Sequence, residues 1–223
     1  MFAFRIVEPG EALRHIDFPT LVLLFSMMLI VGNLRLVGSF EWITEVMVRR
    51  LHPHHLLPTV IFSSGILSAF FVNDIICLVM VPFVLTVTRR MDVPPLPYLL
   101  AVATASNIGS VATITGNPQN MLIGSFSGIR YRDFLVHLGP VAVVGLFLNW
   151  GILYWVYLRK RSSDVPAEAT IPLPPLQPPR LAKPGVVVAI VVTGFFLGVP
   201  PALMSAIGAA AGHADPRAAQ TLR

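Results

Sequence analysis

Long apolar runs separated by short polar or basic stretches organise this chain. Two of the runs, 56–88 and 96–126, carry polar residues in their middle as well as at their ends. Hydrocarbon offers no hydrogen bonds, so interrupted backbone at membrane depth persists only where protein or a polar cavity satisfies it. The pattern therefore predicts an all-α polytopic membrane protein that combines spanning helices with two interrupted helical segments.

The rest of the pattern predicts the segments around these two runs. Runs of about 20 apolar residues are long enough to cross the hydrocarbon core. Amphipathic segments lie in the interface, and proline-rich polar segments form extended linkers. On these grounds we predict membrane spans over 18–37, 134–158 and 184–207, an interfacial helix over 40–51, a linker over 162–183 and a polar tail over 208–223.

The run 56–88 predicts a re-entrant helical hairpin. It is too short for two spans and a loop, which need roughly 40 residues. A single straight span would place Asp74 near the bilayer centre, at a cost of several kcal/mol. Arginine pairs at 49–50 and 89–90 flank the run, so both of its ends are expected on the cytoplasmic side. We expect the chain to turn at 72–74 and to leave by the face at which it entered.

The run 96–126 predicts a discontinuous helix. Its middle is rich in Gly, Ser, Thr and Asn, which are weak helix formers. Polar interruptions fall at 106–109 and 115–120, and Pro118 disfavours helical geometry at Asn117. We therefore expect a half-helix, an unwound loop and a second half-helix.

Composition supports a membrane protein and excludes several other classes. Apolar residues make up 55% of the chain, the mean hydropathy is +0.74, and charged residues are 12%, about half the usual fraction. The net charge of +5 comes with basic clusters at the ends of apolar runs, as the positive-inside rule expects, and we predict no nucleic-acid partner. The chain shows no phosphate-binding loop, zinc motif or nucleophile elbow, so we predict neither an enzyme nor an organic cofactor.

The polar interruptions carry the candidate binding chemistry. A hard cation is held by several carbonyl, amide, hydroxyl or carboxylate oxygens. An unwound loop exposes carbonyls, and the N-terminus of a half-helix presents a positive dipole end. Two such breaks can bind a cation and an anion side by side. The predicted ion- or substrate-binding side chains are Asn73, Asp74, Ser106, Asn107, Thr115, Asn117 and Asn120, with Gly109 and Gly116 allowing close approach of the backbone.

Several of these residues also have a purely structural interpretation. Asp74 is either a proton carrier or cation ligand, or the N-cap of the second hairpin arm, and both roles are compatible. The 117–120 segment could be a turn that closes a kinked helix, and Ser106 and Asn107 could form an interhelical hydrogen bond. Cys77 is expected to act as a small buried hydrophobe. The histidines at 52, 54 and 55 are expected to be solvated beside an arginine pair.

Two stretches resemble the ion transporter superfamily, which includes arsenite efflux pumps, sodium/proton antiporters and citrate or dicarboxylate transporters. SAFFVNDIICLVMVP at 68–82 is similar to the family's re-entrant hairpin, and SNIGSVATITGNPQNMLI at 106–123 is similar to its unwound loop. The resemblance implies an inverted-repeat fold, with one hairpin and one broken helix in each repeat, working as a dimer. It adds Pro118 to the predicted site and implies a Na⁺ site at Asn73, Asn107, Gly116 and Asn117.

The resemblance implies a secondary active transporter of an inorganic or small organic anion, or Na⁺/H⁺ exchange, by alternating access and coupled to Na⁺ or H⁺. The expected location is the bacterial inner membrane, as a multi-pass protein. Only one repeat matches, which leaves as an alternative a truncated, non-transporting half. A further alternative is a subunit that needs a partner chain, so we expect a homodimer or a complementary second-half chain in the lipid bilayer. A channel-like or helper subunit is a third possibility.

Overall fold

The computed structural model describes residues 16–37, 53–159 and 182–213, and every regular element in these ranges is a helix. The helices are α1 Phe18–Leu36, α2 Pro53–Phe70, α3 Asn73–Arg90, α4 Leu96–Ser110, α5 Pro118–Ser127, α6 Tyr131–Leu153, α7 Ala182–Phe196 and α8 Pro201–His213. Helix α6 continues directly into a π-helical segment, Tyr154–Leu158. Predicted segment 40–51 and most of the predicted linker 162–183 lie outside the described residues, as does 214–223.

Helices α2, α3 and α4 form the framework of the site. Ser68 near the end of α2 donates a 2.6 Å hydrogen bond to the Ser106 carbonyl near the end of α4. These two helices pack along their lengths, so they run in the same direction. Helix α3 starts beside the end of α4, and its own end joins the start of α4 through a five-residue loop at 91–95. Helix α3 therefore runs antiparallel to both.

The close α2–α4 contact depends on Gly109, whose missing side chain leaves room for the backbone of Gly65. A methyl group at Gly109 would overlap the Gly65 backbone, so the two helices approach more closely than side chains would allow. Apolar residues one and two turns away on α2, including Leu57, Val60 and Ile61, are fully buried in the core. Close backbone packing of this kind is how helices associate where lipid gives no hydrophobic driving force.

The break between α2 and α3 consists of Phe71 and Val72, and Asn73 is already the first residue of α3. Helix α3 has Val72 as its N-cap residue and Asp74 in its first turn, so the alternative in which Asp74 caps the helix is wrong. Whether the pair re-enters one face of a bilayer remains a prediction.

The second break lies at 111–117, between α4 and α5. The predicted interruption at 106–109 is wrong, because these residues form the last turn of α4. Ser106 Oγ and Asn107 Nδ2 both donate to the Ala103 carbonyl, at 3.2 and 2.9 Å. Their side chains thereby satisfy their polar groups within the helix instead of unwinding it.

Helix α6 is the clearest candidate for a membrane span. Together with its π-helical turn it covers Tyr131–Leu158, the one helix in the described ranges that is long and apolar enough to cross a bilayer by itself. It starts three residues before the predicted span 134–158. Most of its apolar side chains, such as Val144 and Leu148, are exposed on the molecule and thus available to lipid.

The C-terminal region differs from the prediction. The expected single span 184–207 is two helices, α7 and α8, separated at 197–200. Gly198 adopts a left-handed φ of 84°, and Val199 N–H donates back to the Gly194 carbonyl, which ends α7. Pro201 then starts α8, a position that proline favours.

The predicted polar tail 208–223 is wrong over 208–213, which continue α8. Gly208 is buried, and a methyl group there would overlap Val191 of α7. Helix α8 packs mainly on α1. Its alanines and glycines are small residues of the kind that membrane helices use for close packing, not a sign that the helical region has ended.

Candidate functional site

The two helix breaks meet at Asn73. Its backbone N–H donates to the Gly116 carbonyl at 2.9 Å, and its side-chain Nδ2 donates to Asn107 Oδ1 at 3.0 Å. Asn73 opens α3, Asn107 lies in the last turn of α4, and Gly116 lies in the 111–117 loop. The structure therefore brings together three of the four residues at which the family resemblance implies a sodium site. We call Asn73, Asn107 and Gly116 the junction.

The Asn73 side chain leaves one oxygen unused. Asn107 Nδ2 donates to the Ala103 carbonyl at 2.9 Å, which turns Asn107 Oδ1 toward Asn73. Because Asn107 Oδ1 is an acceptor, Asn73 donates to it with its NH₂ group, and Asn73 Oδ1 points away from Asn107. That oxygen is buried and has no hydrogen-bond partner. An unsatisfied buried acceptor costs about 1–3 kcal/mol, and a bound cation would remove that cost.

A chain of hydrogen bonds connects the junction to the start of α5. Ser110 Oγ donates to the Asn107 carbonyl at 2.8 Å and accepts from Asn117 Nδ2 at 3.1 Å. Asn117 Oδ1 accepts the Asn120 N–H at 2.8 Å, which makes Asn117 the N-cap of α5. Pro118 follows as the first helical residue and serves the geometry of the helix start. The predicted Asn117 thus lies beside the junction but uses its side chain structurally.

Asn120 shapes the unwound loop. Its Nδ2 donates to the carbonyls of Ser110 at 3.1 Å and Thr113 at 2.9 Å, with Val111 more distant at 3.5 Å. Most of the loop is buried, so these carbonyls have little access to water. A buried carbonyl needs such a donor. Asn120 is therefore the residue that allows this loop to stay unwound inside the protein.

Two threonines fasten the loop to the end of α2. Thr113 Oγ1 donates to the Ala69 carbonyl, and Thr115 Oγ1 lies 3.5 Å from the Phe70 carbonyl. The Thr115 hydroxyl also contacts Tyr131 Oη at 3.1 Å. The predicted Thr115 is thus committed to contacts within the protein. Sequence reasoning missed Ser110 and Thr113, which nothing local distinguishes from the other polar residues of this segment. It also missed Tyr131, which only the fold brings to the loop.

Ser106 and Cys77 connect α3 to α4 one turn below the junction. Cys77 Sγ lies 2.9 Å from Ser106 Oγ, and the Ser106 carbonyl accepts from Ser68. Ser106 is fully buried. The contacts of Ser106 with Ser68 and Cys77 agree with its structural interpretation, in which it forms an interhelical hydrogen bond. Gly109 serves the helix contact with Gly65.

Asp74 stands apart from these contacts. It is exposed, and it forms no hydrogen bond or ion pair with any described residue. It lies in the first turn of α3, next to Asn73, where a carboxylate interacts favourably with the helix dipole. Among the described residues no group of three or more His, Cys, Asp or Glu could hold a metal ion. His52 lies outside the described residues.

Helix ends of both polarities meet at the junction. The C-termini of α2 and α4 carry partial negative charge, and the N-termini of α3 and α5 carry partial positive charge. The first pair favours a cation and the second pair favours an anion. This arrangement resembles the broken-helix sites in which transporters bind both kinds of ion.

Comparison with known proteins agrees with the geometry. A family model described as a citrate transporter matches residues 1–219. A silicon efflux transporter of Oryza sativa subsp. japonica is 35% identical over 161 residues, which are 72% of this chain and 33% of that protein. An uncharacterized transporter of Mycobacterium tuberculosis H37Rv is 30% identical over 204 residues, 87% of this chain and 48% of the relative.

An inner membrane protein of Escherichia coli K12 is 33% identical over 141 residues, 63% of this chain and 38% of the relative. The chain thus spans between a third and a half of the length of these curated relatives. No solved structure matches the chain.

Proposed function

We propose that this chain, which belongs to the citrate transporter family, moves a small inorganic or organic anion across a lipid bilayer as a secondary active transporter. Transport is driven by Na⁺ or H⁺ and works by alternating access. Na⁺/H⁺ exchange is the variant in which the coupling ions are the only cargo. The protein acts as a transporter and not as an enzyme, and its location is the inner membrane of a bacterium.

The observation that supports the proposal most strongly is the buried Asn73 Oδ1, which has no hydrogen-bond partner and lies where the two helix breaks meet. We assign the coupling cation to this oxygen together with the Asn107 and Asn117 side chains and the Gly116 carbonyl. Asn107 is exposed and reachable, whereas Asn117 would have to turn from its capping bond. Amide and carbonyl oxygens are ligands that suit a hard monovalent cation.

We assign to Asp74 one of two roles. It either carries the coupling proton, or it supplies a negative charge that balances the bound cation. Its carboxylate is the only acid in the two interrupted runs, and it is exposed beside Asn73. An ionisable group at membrane depth is functional by default. The transported anion is assigned to the same junction, where the first turns of α3 and α5 present backbone N–H groups.

We assign the helix pair α2–α3 and the broken helix α4–α5 to one half of a two-sided site. We propose that a second copy of this chain, or a complementary chain or segment, provides the other half. The competing proposal is that the 223-residue chain inserts and folds but transports nothing without such a partner.

Ion flux in proteoliposomes separates these proposals. The purified 223-residue chain is reconstituted, proton and sodium gradients are imposed, and flux is read with a pH-sensitive dye. Asp74→Asn is the test variant, and Asp92→Asn, in the 91–95 loop, is the matched control. Asn suits the left-handed φ of 50° at Asp92. Flux that is lost only in Asp74→Asn supports transport that depends on the carboxylate beside the junction. No flux from folded, inserted protein supports the need for a partner.

A further inference from the structure

Tyr131 lies at the start of α6 with its ring held in the core. It is 4% exposed, and its ring centroid lies 5.3 Å from that of Phe195 and 5.6 Å from that of Phe196, both on α7. Aromatic pairs at such distances prefer defined mutual orientations. The α7 contacts therefore fix where the Tyr131 hydroxyl can point.

That hydroxyl points at the unwound loop. Tyr131 Oη lies 3.1 Å from Thr115 Oγ1, and Thr115 Oγ1 lies 3.3 Å from Thr113 Oγ1. Thr113 in turn donates to the Ala69 carbonyl at the end of α2. Both threonines are fully buried, so each hydroxyl depends on partners inside the protein.

Thr115 directly precedes Gly116, whose carbonyl accepts the Asn73 N–H. The position of the Thr115 side chain thus governs where the Gly116 carbonyl lies relative to Asn73. Since Tyr131 is anchored on α7, it fixes the loop from a helix that belongs to neither interrupted run.

We propose that Tyr131 is a positioning residue of the junction, which it holds in its binding geometry through the Thr115 hydroxyl. Its effect on transport rests on the proposed function, whereas its effect on the conformation of the loop does not. Tyr131 forms no hydrogen bond with Asn73, Asn107 or Gly116. It acts on them through the hydroxyl of Thr115, the residue before Gly116.

The test uses variants that remove single hydroxyl groups. Tyr131→Phe keeps the ring and its packing on α7, and Thr115→Val keeps the shape of the loop residue. The double variant reports whether the two hydroxyls act together. Tyr154→Phe is the matched control, since Tyr154 lies on the same helix and is 47% exposed.

Two readouts are compared in each variant. The first is the Na⁺ concentration that gives half-maximal flux. The second is the rate at which N-ethylmaleimide alkylates Cys77, the single cysteine, which lies one turn after Asn73. Loosening of the junction exposes the thiol, whether or not the chain transports.

Tyr131→Phe is expected to raise both values about fivefold, as for the loss of one buried hydrogen bond. Adding it to Thr115→Val should change neither value further, and Tyr154→Phe should match the wild type. The proposal would be overturned if Cys77 were alkylated at the same rate in Tyr131→Phe as in Tyr154→Phe. It would also be overturned if the effects of Tyr131→Phe and Thr115→Val on the alkylation rate were fully additive in the double variant. Should Tyr131→Phe fail to fold, Thr115→Val carries the same expectation alone.

The proposed function would be contradicted by a wild-type protein that shows no flux and whose Cys77 is alkylated equally fast with and without added Na⁺. The comparison of alkylation rates among the variants would still decide the positioning role of Tyr131.

Discussion

Asn73 Nδ2 donates a 3.0 Å hydrogen bond to Asn107 Oδ1, and this contact joins the start of α3 to the end of α4. Because Asn107 is itself oriented by the Ala103 carbonyl, the bond leaves Asn73 Oδ1 buried and free to bind. The arrangement needs a tight contact between α2 and α4, an unwound but satisfied loop, and a hairpin whose tip reaches that loop. Each requirement leads to a prediction.

Gly109→Ala should weaken the folded state by about 2–3 kcal/mol, because the added methyl group overlaps the Gly65 backbone and forces α2 and α4 apart. The measurement is the free energy of unfolding in detergent micelles. Gly151→Ala is the control, since a methyl group there meets nothing within 4 Å. If both variants unfold like the wild type, the close helix contact described above is wrong.

Asn120→Ala should cost about 2 kcal/mol, because the Ser110 and Thr113 carbonyls lose their shared donor. Asn120→Asp should cost more, since a carboxylate would face carbonyl oxygens. Unfolding free energies are compared with that of Gln119→Ala, an exposed neighbour in the same helical turn. Equal stability of all three variants would contradict the role of Asn120 in holding the loop.

The sequence allowed some of this architecture to be predicted because the signals are local. An Asn-Asp pair inside an apolar run marks the end of one helix and the start of another, and Asn117-Pro118 marks a helix start. Both breaks were therefore expected close to where they occur, at 71–72 and 111–117.

Other features depend on contacts between distant segments and gave no local signal. Ser106 and Asn107 lie in a continuous helix end that is held by Ser68, Cys77 and Asn73 from α2 and α3, contacts that helix propensity does not reveal. Nothing near Tyr131 in the sequence indicates that its hydroxyl reaches Thr115. The Ala- and Gly-rich 208–213 segment looked like a tail because its packing partners, Val191 and Ile30, lie on other helices.

The re-entrant geometry predicts that both ends of the hairpin lie on one side of the membrane. In a Cys77→Ser background, cysteines introduced at His52 and Met91 should react with a membrane-impermeant maleimide from the same face. A cysteine at Ser127, at the end of α5, should react from the opposite face. Labelling of the first two positions from opposite faces would contradict the re-entrant arrangement.

If Asn73 Oδ1 belongs to a cation site, the purified protein should bind radioactive sodium through it. Asn73→Ala is compared with Asn33→Ala, which removes another asparagine with an unpartnered buried amide atom, in α1. In Asn33 that atom is the nitrogen Nδ2, which cannot bind a cation. We predict saturable sodium binding that Asn33→Ala preserves and Asn73→Ala weakens about tenfold or more, equivalent to about 1.4 kcal/mol. Equal sodium affinity in Asn73→Ala and the wild type, or no binding by folded wild-type protein, would contradict the account.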